Sequence, residues 1–229
     1  DGSKIYVSGG FENSGVPGEP IVESNELRIF DIRNGAWSNG PKMPDVRVGH
    51  SLVCVDGKVY VIGGRGPSAS RMFVFDIGAN EWSISKTAVP FARSDSAAVA
   101  VGKDIYVIGG KDGSGASSRV DIYDTSRGVW RSGPALPAPR DGHVAALNAD
   151  EIHVSGGQTI SPPKTYADHF VLDLKTNSWR REAALPTPRH GSIAAASHGK
   201  FIVVGGAPGA GVYTVFTSSD VVDIYTGPK

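Results

Sequence analysis

The sequence predicts an all-β protein, a propeller of four-stranded antiparallel blades, from three sets of recurring residues. Paired glycines stand at Gly9-Gly10, Gly63-Gly64, Gly109-Gly110, Gly156-Gly157 and Gly205-Gly206, at intervals of 54, 46, 47 and 49 residues. Trp37, Trp82, Trp130 and Trp179 each follow an aspartate by six residues: Asp31, Asp76, Asp124 and Asp173. Arg47, Arg93, Arg140 and Arg189 each precede the first glycine of a pair by 16. Such a period suits stacked blades, because one blade cannot bury both faces of its sheet without neighbours.

Within each period four short strands can be placed in order. The first follows the arginine ("HSLVCV", "SAAVAV", "HVAALN", "SIAAAS"), and the second ends on the glycine pair ("KVYVIGG", "DIYVIGG", "EIHVSGG", "FIVVGG"). Two-residue turns fit between them, and Asp56-Gly57 is the strongest hairpin signal. The third strand leads to the aspartate, as in "RMFVFD" and "RVDIYD", and the fourth begins near the tryptophan. A proline-bearing link such as "GPALPAPR" returns to the next arginine. The glycines suit places where strands crowd or φ is positive, and tryptophan supplies apolar area to the seam between blades.

This divides residues 1–229 into one propeller domain of five blades, about 1–44, 45–91, 92–138, 139–187 and 188–229. Three blades are complete. "DGSKIYVSGG" aligns with "VGKDIYVIGG" and lacks the preceding strand, while "VVDIYTGPK" stops before a fourth-strand tryptophan. The expectation is a window onto a longer protein, truncated at both ends, whose ring closes with five blades or forms part of six.

Composition narrows the function. Lysine plus arginine and aspartate plus glutamate both total 23, which argues against general nucleic-acid or membrane-surface binding. No continuous apolar run is long enough for a membrane helix. Cys54 is the single cysteine, so no intrachain disulfide forms, and no N-x-S/T sequon occurs. Both facts point toward a cytoplasmic or nuclear setting.

The glycine pair, an aromatic or aliphatic residue before Asp, Trp six residues on, then P-x-x-R-x-G-H together resemble the kelch repeat over essentially the whole chain. Departures are Asp95 where the other blades have glycine, and His153 and Ile202 where Tyr6, Tyr60 and Tyr106 stand elsewhere. In such propellers the loops after the glycine pairs share a face with the links that carry the arginines, and these loops vary in length and composition, as a binding face does.

The resemblance implies a protein- or peptide-binding domain, as in ubiquitin-ligase adaptors, where arginines at this position hold acidic degrons. Carried over by position, the ligand residues are Arg47, Arg93, Arg140 and Arg189, with His50, Ser96, His143 and Ser192 three residues after each. His190, beside Arg189, joins them. Guanidinium groups bind carboxylates bidentately, and several around one bowl would focus the field. Arginines that pair with a neighbouring blade or cap a loop carbonyl would show the same spacing.

Enzyme signatures are sparse. The six histidines form no H-E-x-x-H helix or Cys/His cluster, no phosphate-cradling glycine motif opens a helix, and no cofactor is expected. His153 reads as a packed strand histidine, His198 as a turn residue and Cys54 as a packed thiol. The enzymatic alternative within the resemblance is the bacterial sialic-acid mutarotase, which also presents arginines to a carboxylate sugar. Copper-radical oxidases and iron-binding specifier proteins do not fit the single cysteine and its surroundings.

Overall fold

In the computed structural model, which describes residues 2–13 and 16–227 with the side chains of 212 and 215 excepted, the expected strands form. Asp1, half of the turn read at the chain's start, lies outside the described residues.

Blade 1 is a three-stranded sheet of Lys4–Ser8, Leu27–Asp31 and Ala36–Asn39. Blade 2 has four strands, Ser51–Val55, Lys58–Ile62, Arg71–Asp76 and Glu81–Ala88. Blade 3 has Ala97–Val101, Asp104–Ile108, Val120–Asp124 and Val129–Ser132, and blade 4 has Val144–Asn148, Glu151–Ser155, His169–Asp173 and Ser178–Glu182. Blade 5 is again three-stranded: Ile193–Ser197, Lys200–Val204 and Val222–Tyr225. All paired neighbours are antiparallel and consecutive within their blade. The fold is therefore the five-bladed, all-β propeller type that the repeats predict.

The chain divides into two compact units, Asp1–Ser94 with Thr125–Val129, and Asp95–Asp124 with Trp130–Lys229. In the first, Leu27, Val59 and Phe75 form a core against Tyr6 and Trp82. The Trp82 ring lies 5.1 Å from Phe75, and its indole N–H donates to the Pro41 carbonyl at 2.7 Å. In the second, Ile108, Ile152, Phe170 and Leu172 are buried together with Trp179 packed against them. Trp179 donates to the Pro134 carbonyl at 2.9 Å. Trp82 and Trp179 thus each tie a fourth strand to the link that enters its own blade.

The glycine pairs have a geometric reason. Gly63 and Gly64 take φ of 68° and 85°, the left-handed region where a β-carbon is disfavoured. A β-carbon on Gly63 would collide with the Arg93 carbonyl oxygen, and one on Gly64 would lie 2.7 Å from the Val48 oxygen. Asp95 keeps the conformation of the glycines it replaces, with φ of 56° against 64° at Gly49 and 62° at Gly142. Aspartate is among the few residues that tolerate it.

Candidate functional site

Each repeat arginine is held by the blade before it. Its own carbonyl accepts from the second glycine of the preceding pair: Gly10 to Arg47 at 2.8 Å, and Gly64 to Arg93, Gly110 to Arg140 and Gly157 to Arg189 at 2.9 Å. The side chains of Arg47, Arg140 and Arg189 then turn into their own blades. Arg47 donates to the Gly63 carbonyl at 2.8 Å and to Ser68 at 2.9 Å, under the ring of Phe73 at 4.2 Å. Arg140 donates to the Gly156 carbonyl at 3.0 Å and reaches Asp168 at 3.4 Å, with Tyr166 and Phe170 each 4.8 Å away. Arg189 contacts the Val203 carbonyl at 3.3 Å and pairs with Asp223 at 2.7 Å.

Arg47, Arg93, Arg140 and Arg189 are 0, 4, 0 and 1 % exposed. Burial lowers the pKa of Arg47 and Arg140, yet guanidinium stays protonated at any ordinary pH. The expectation that these arginines hold an acidic ligand is therefore corrected. A guanidinium without exposed surface, and in Arg47, Arg140 and Arg189 already donating to blade carbonyls, cannot meet a carboxylate arriving from solvent. For Arg47 and Arg140 the spacing of 16 residues is the distance from the link to the carbonyl of the blade's first glycine.

The residues three positions further on behave similarly. His50 Nε2 lies 2.9 Å from Ser8 Oγ of the preceding blade. Burial first, and the Arg47 charge second, push its pKa down to about 4. His143 is buried beside Gly109, Ser192 donates to the Gly205 carbonyl at 3.0 Å, and Ser96 is half-buried. His190 is buried with Nε2 2.9 Å from the Gly209 carbonyl and 3.1 Å from Thr214 Oγ1. These groups serve the blades rather than an open mouth. Cys54 is half-buried in the first strand of blade 2.

His153 is packed, as the sequence implies, but its partner is a second histidine. His153 Nδ1 lies 2.9 Å from His169 Nε2, and both rings are buried. Both stack on Phe201, at 5.2 and 5.3 Å. In blades 2 and 3 the same two positions hold Tyr60 with Met72, and Tyr106 with Val120. Burial lowers both histidines, and the His153 charge adds to the effect at His169, which falls to about 4. Glu151, whose carboxylate lies 3.7 Å from His153 Nε2, opposes the shift.

An unfolded histidine takes up its proton near pH 6.5. Between that pH and about 4 the unfolded chain binds more protons than the folded one, so stability falls as pH drops through this window. In urea unfolding at pH 7 and pH 5, His153→Tyr/His169→Leu should lose less of its midpoint on acidification than the wild type. An identical loss would show that the pair does not contribute.

What the sequence reading missed is an exposed aromatic edge in the second unit. Lys111 Nζ sits 3.0 Å from Asp95 and 3.3 Å from Asp141. Desolvation acts to lower its pKa, but the two carboxylates outweigh it and hold the pKa above the ordinary value. Gln158 donates to the same Asp141 at 3.2 Å and accepts from the Gly211 N–H at 3.0 Å. This polar chain anchors a 3-10 helix, Gly211–Phe216, inside the loop after the last glycine pair. On it Phe216 is 82 % and Tyr213 62 % exposed, with Ile160 of the neighbouring loop at 48 %. The signal was present in "GVYTVF", an apolar run inside a loop bounded by glycine and serine.

In the first unit, the loop hairpin Phe11–Glu12 and Val22–Glu23 borders a concavity of about 670 Å³, lined by Val7, Phe11, Glu12, Glu19, Glu26 and Arg28. Three carboxylates against one guanidinium make it acidic. Among the described residues no group of three His, Cys, Asp or Glu side chains could hold a metal ion, and no helix is long and apolar enough to cross a membrane.

The comparisons agree with this geometry. Residues 49–225 match the family profile of the KLHDC2/KLHL20/DRC7 Kelch-repeats domain. Acyl-CoA-binding domain-containing protein 5 of Arabidopsis thaliana is 30% identical over 196 residues, covering 76% of this chain and 29% of that protein. Kelch domain-containing protein 3 of Bos taurus is 29% identical over 180 residues, covering 69% and 46%. Kelch repeat and BTB domain-containing protein 12 of Danio rerio is 30% identical over 135 residues, covering 51% and 22%. The chain thus spans less than half the length of these relatives. The solved structure of YjhT superposes with a TM-score of 0.80 at 15% identity, covering 97% of this chain and 78% of that one, a likeness of fold. With the profile spanning well over half of its length and the repeat geometry behind it, the chain belongs to the kelch-repeat family of β-propellers.

Proposed function

We propose that this chain is a non-enzymatic, protein-binding kelch domain that holds its partner with loop side chains following the glycine pairs. Within a longer polypeptide it would be the substrate-recognition part of a ubiquitin-ligase adaptor. The observation that carries the reading is the pair Tyr213 and Phe216. Two large aromatic side chains are left in water on a loop held in place by a hydrogen bond from the Gly211 N–H to Gln158 and one from Thr214 to the Gly211 carbonyl. Aromatic anchors of this kind supply most of the energy of protein interfaces, and loops on a rigid scaffold are where binding residues gather. The preference for an acidic partner rested on the arginines and goes with them. The adaptor setting draws support from the BTB-bearing relative.

The test uses the immobilised domain with cross-linking and mass spectrometry, followed by affinity measurement on the retained protein. Tyr213→Ser/Phe216→Ser should weaken that affinity about 10- to 100-fold with an unchanged unfolding midpoint. Equal affinity for the double variant would remove the loop from the interface. Saturable binding of free N-acetylneuraminic acid, with no protein retained, would favour the mutarotase-like alternative.

A further inference from the structure

In three blades the residue after the glycine pair and the residue after the arginine exchange two backbone hydrogen bonds. Val48 pairs in this way with Arg65 at 3.1 and 2.7 Å, Asp141 with Gln158 at 3.0 and 2.8 Å, and His190 with Ala207 at 3.0 and 2.9 Å. The bridge is made by backbone atoms, so the side chains at these positions can differ from blade to blade. In blade 4 they bond as well: Gln158 Nε2 donates to Asp141 Oδ1 at 3.2 Å. Both are buried, Asp141 at 1 % and Gln158 at 7 % exposure.

A carboxylate only accepts hydrogen bonds, whereas an amide has a donor on one side and an acceptor on the other. A buried carboxylate also needs a cation. Lys111, which holds in blade 3 the position of Gln158 in blade 4, supplies it at 3.3 Å from the same Asp141 Oδ1. Asp95 takes another side of the ammonium at 3.0 Å. With Asp141 accepting, Gln158 must turn its NH2 group toward it, which leaves Oε1 facing the Gly211 N–H at 3.0 Å. That N–H opens the helix Gly211–Phe216, where the preceding Ala210 gives no side-chain cap. Such first N–H groups have no partner within the helix, and here the cap comes from another blade. Thr214 closes the same turn by donating to the Gly211 carbonyl at 2.7 Å.

We propose that Lys111 and Asp141 are positioning residues for the aromatic loop: they fix which way the Gln158 amide points, and its oxygen then holds Gly211, from which Tyr213 and Phe216 follow. The loop of blade 5 is thereby set by the link and loop of blade 4 and by the loop of blade 3. That the loop so placed meets a protein rests on the binding role proposed for Tyr213 and Phe216, whereas the relay itself is a property of the free chain.

The test is amide hydrogen exchange at Gly211, followed by NMR on the 229-residue chain carrying isotope-labelled glycine. Gly133 and Gly205, whose N–H groups donate to the carbonyls of Val120 and Val221, report the stability of the blades. Gln158→Met keeps the side chain's length but has no amide, and should speed exchange at Gly211 about three- to tenfold. Lys111→Met and Asp141→Asn should act in the same direction, the second because an asparagine can face either side of the Gln158 amide. Adding Asp141→Asn to Gln158→Met should bring no further increase, since both act through one amide. An unchanged Gly211 rate in Lys111→Met and Asp141→Asn, additive effects in the double variant, or equal acceleration at all three glycines would overturn the proposal. Affinity for the protein retained by the immobilised domain separates this relay from the binding role. If Tyr213→Ser/Phe216→Ser weakens it, Asp141→Asn should weaken it too, and an unchanged affinity for Asp141→Asn would deny the relay its part in binding. No loss from the double serine variant would remove the binding role alone and leave the exchange result standing.

Discussion

Replacing Arg140 by alanine is expected to lower the unfolding free energy by about 3–5 kcal/mol, the loss seen when one partner of a buried charged network is removed. The Gly156 carbonyl would lose its 3.0 Å donor, and an unsatisfied buried acceptor alone costs about 1–3 kcal/mol. The space under Tyr166 and Phe170 would also be left unfilled, adding a cavity cost of similar size. Asp168 softens the loss, because it keeps Arg181 at 2.9 Å. Arg140→Lys retains the charge but loses the planar fork that reaches carbonyl and carboxylate together, so it should recover only part of the difference. Arg181→Ala is the control. Its side chain is 69% exposed, and such a surface pair contributes below about 1 kcal/mol. Urea unfolding of the three variants reads the ordering directly.

Gly64→Ala is expected to cost about 2–4 kcal/mol, against about 1–2 kcal/mol for Gly57→Ala. Both glycines have positive φ, 85° and 71°, so both substitutions carry the conformational cost. Only Gly64 adds a collision. Its β-carbon would meet the Val48 oxygen at 2.7 Å and the His50 β-carbon at 2.9 Å, while nothing stands within 4 Å at Gly57. The Gly64 N–H also donates to the Arg93 carbonyl at 2.9 Å, so displacement there weakens that hydrogen bond. Equal midpoints for the two variants would mean that crowding at the pair is relieved by small backbone shifts.

The blades were legible because their determinants are residue types at fixed spacing. A glycine where a β-carbon would strike the next blade's carbonyl, and a tryptophan that must reach a link carbonyl, leave marks in the sequence. The role of Arg47 and its equivalents was not legible, because the atoms they bind are backbone carbonyls, which carry no residue signature. A ring of ligand arginines and a set of internal clasps demand the same residue at the same spacing, and burial decides between them. His153 stood out as a departure from tyrosine. Its partner His169 did not, because the contact lies diagonally across two strands of one blade, sixteen residues apart. The 3-10 helix was hidden for a related reason: its position depends on Gln158, 53 residues before the Gly211 N–H that it accepts.

The central claim is that the repeat arginines are internal clasps. Arginine modification by phenylglyoxal, mapped by mass spectrometry on the folded chain, tests it most directly. Arg47, Arg93, Arg140 and Arg189 should stay unmodified while Arg28 and Arg181, 60% and 69% exposed, react, and all should react once the chain is unfolded in urea. Modification of the four at the rate of Arg181 in the folded protein would place their guanidinium groups in solvent and contradict the account.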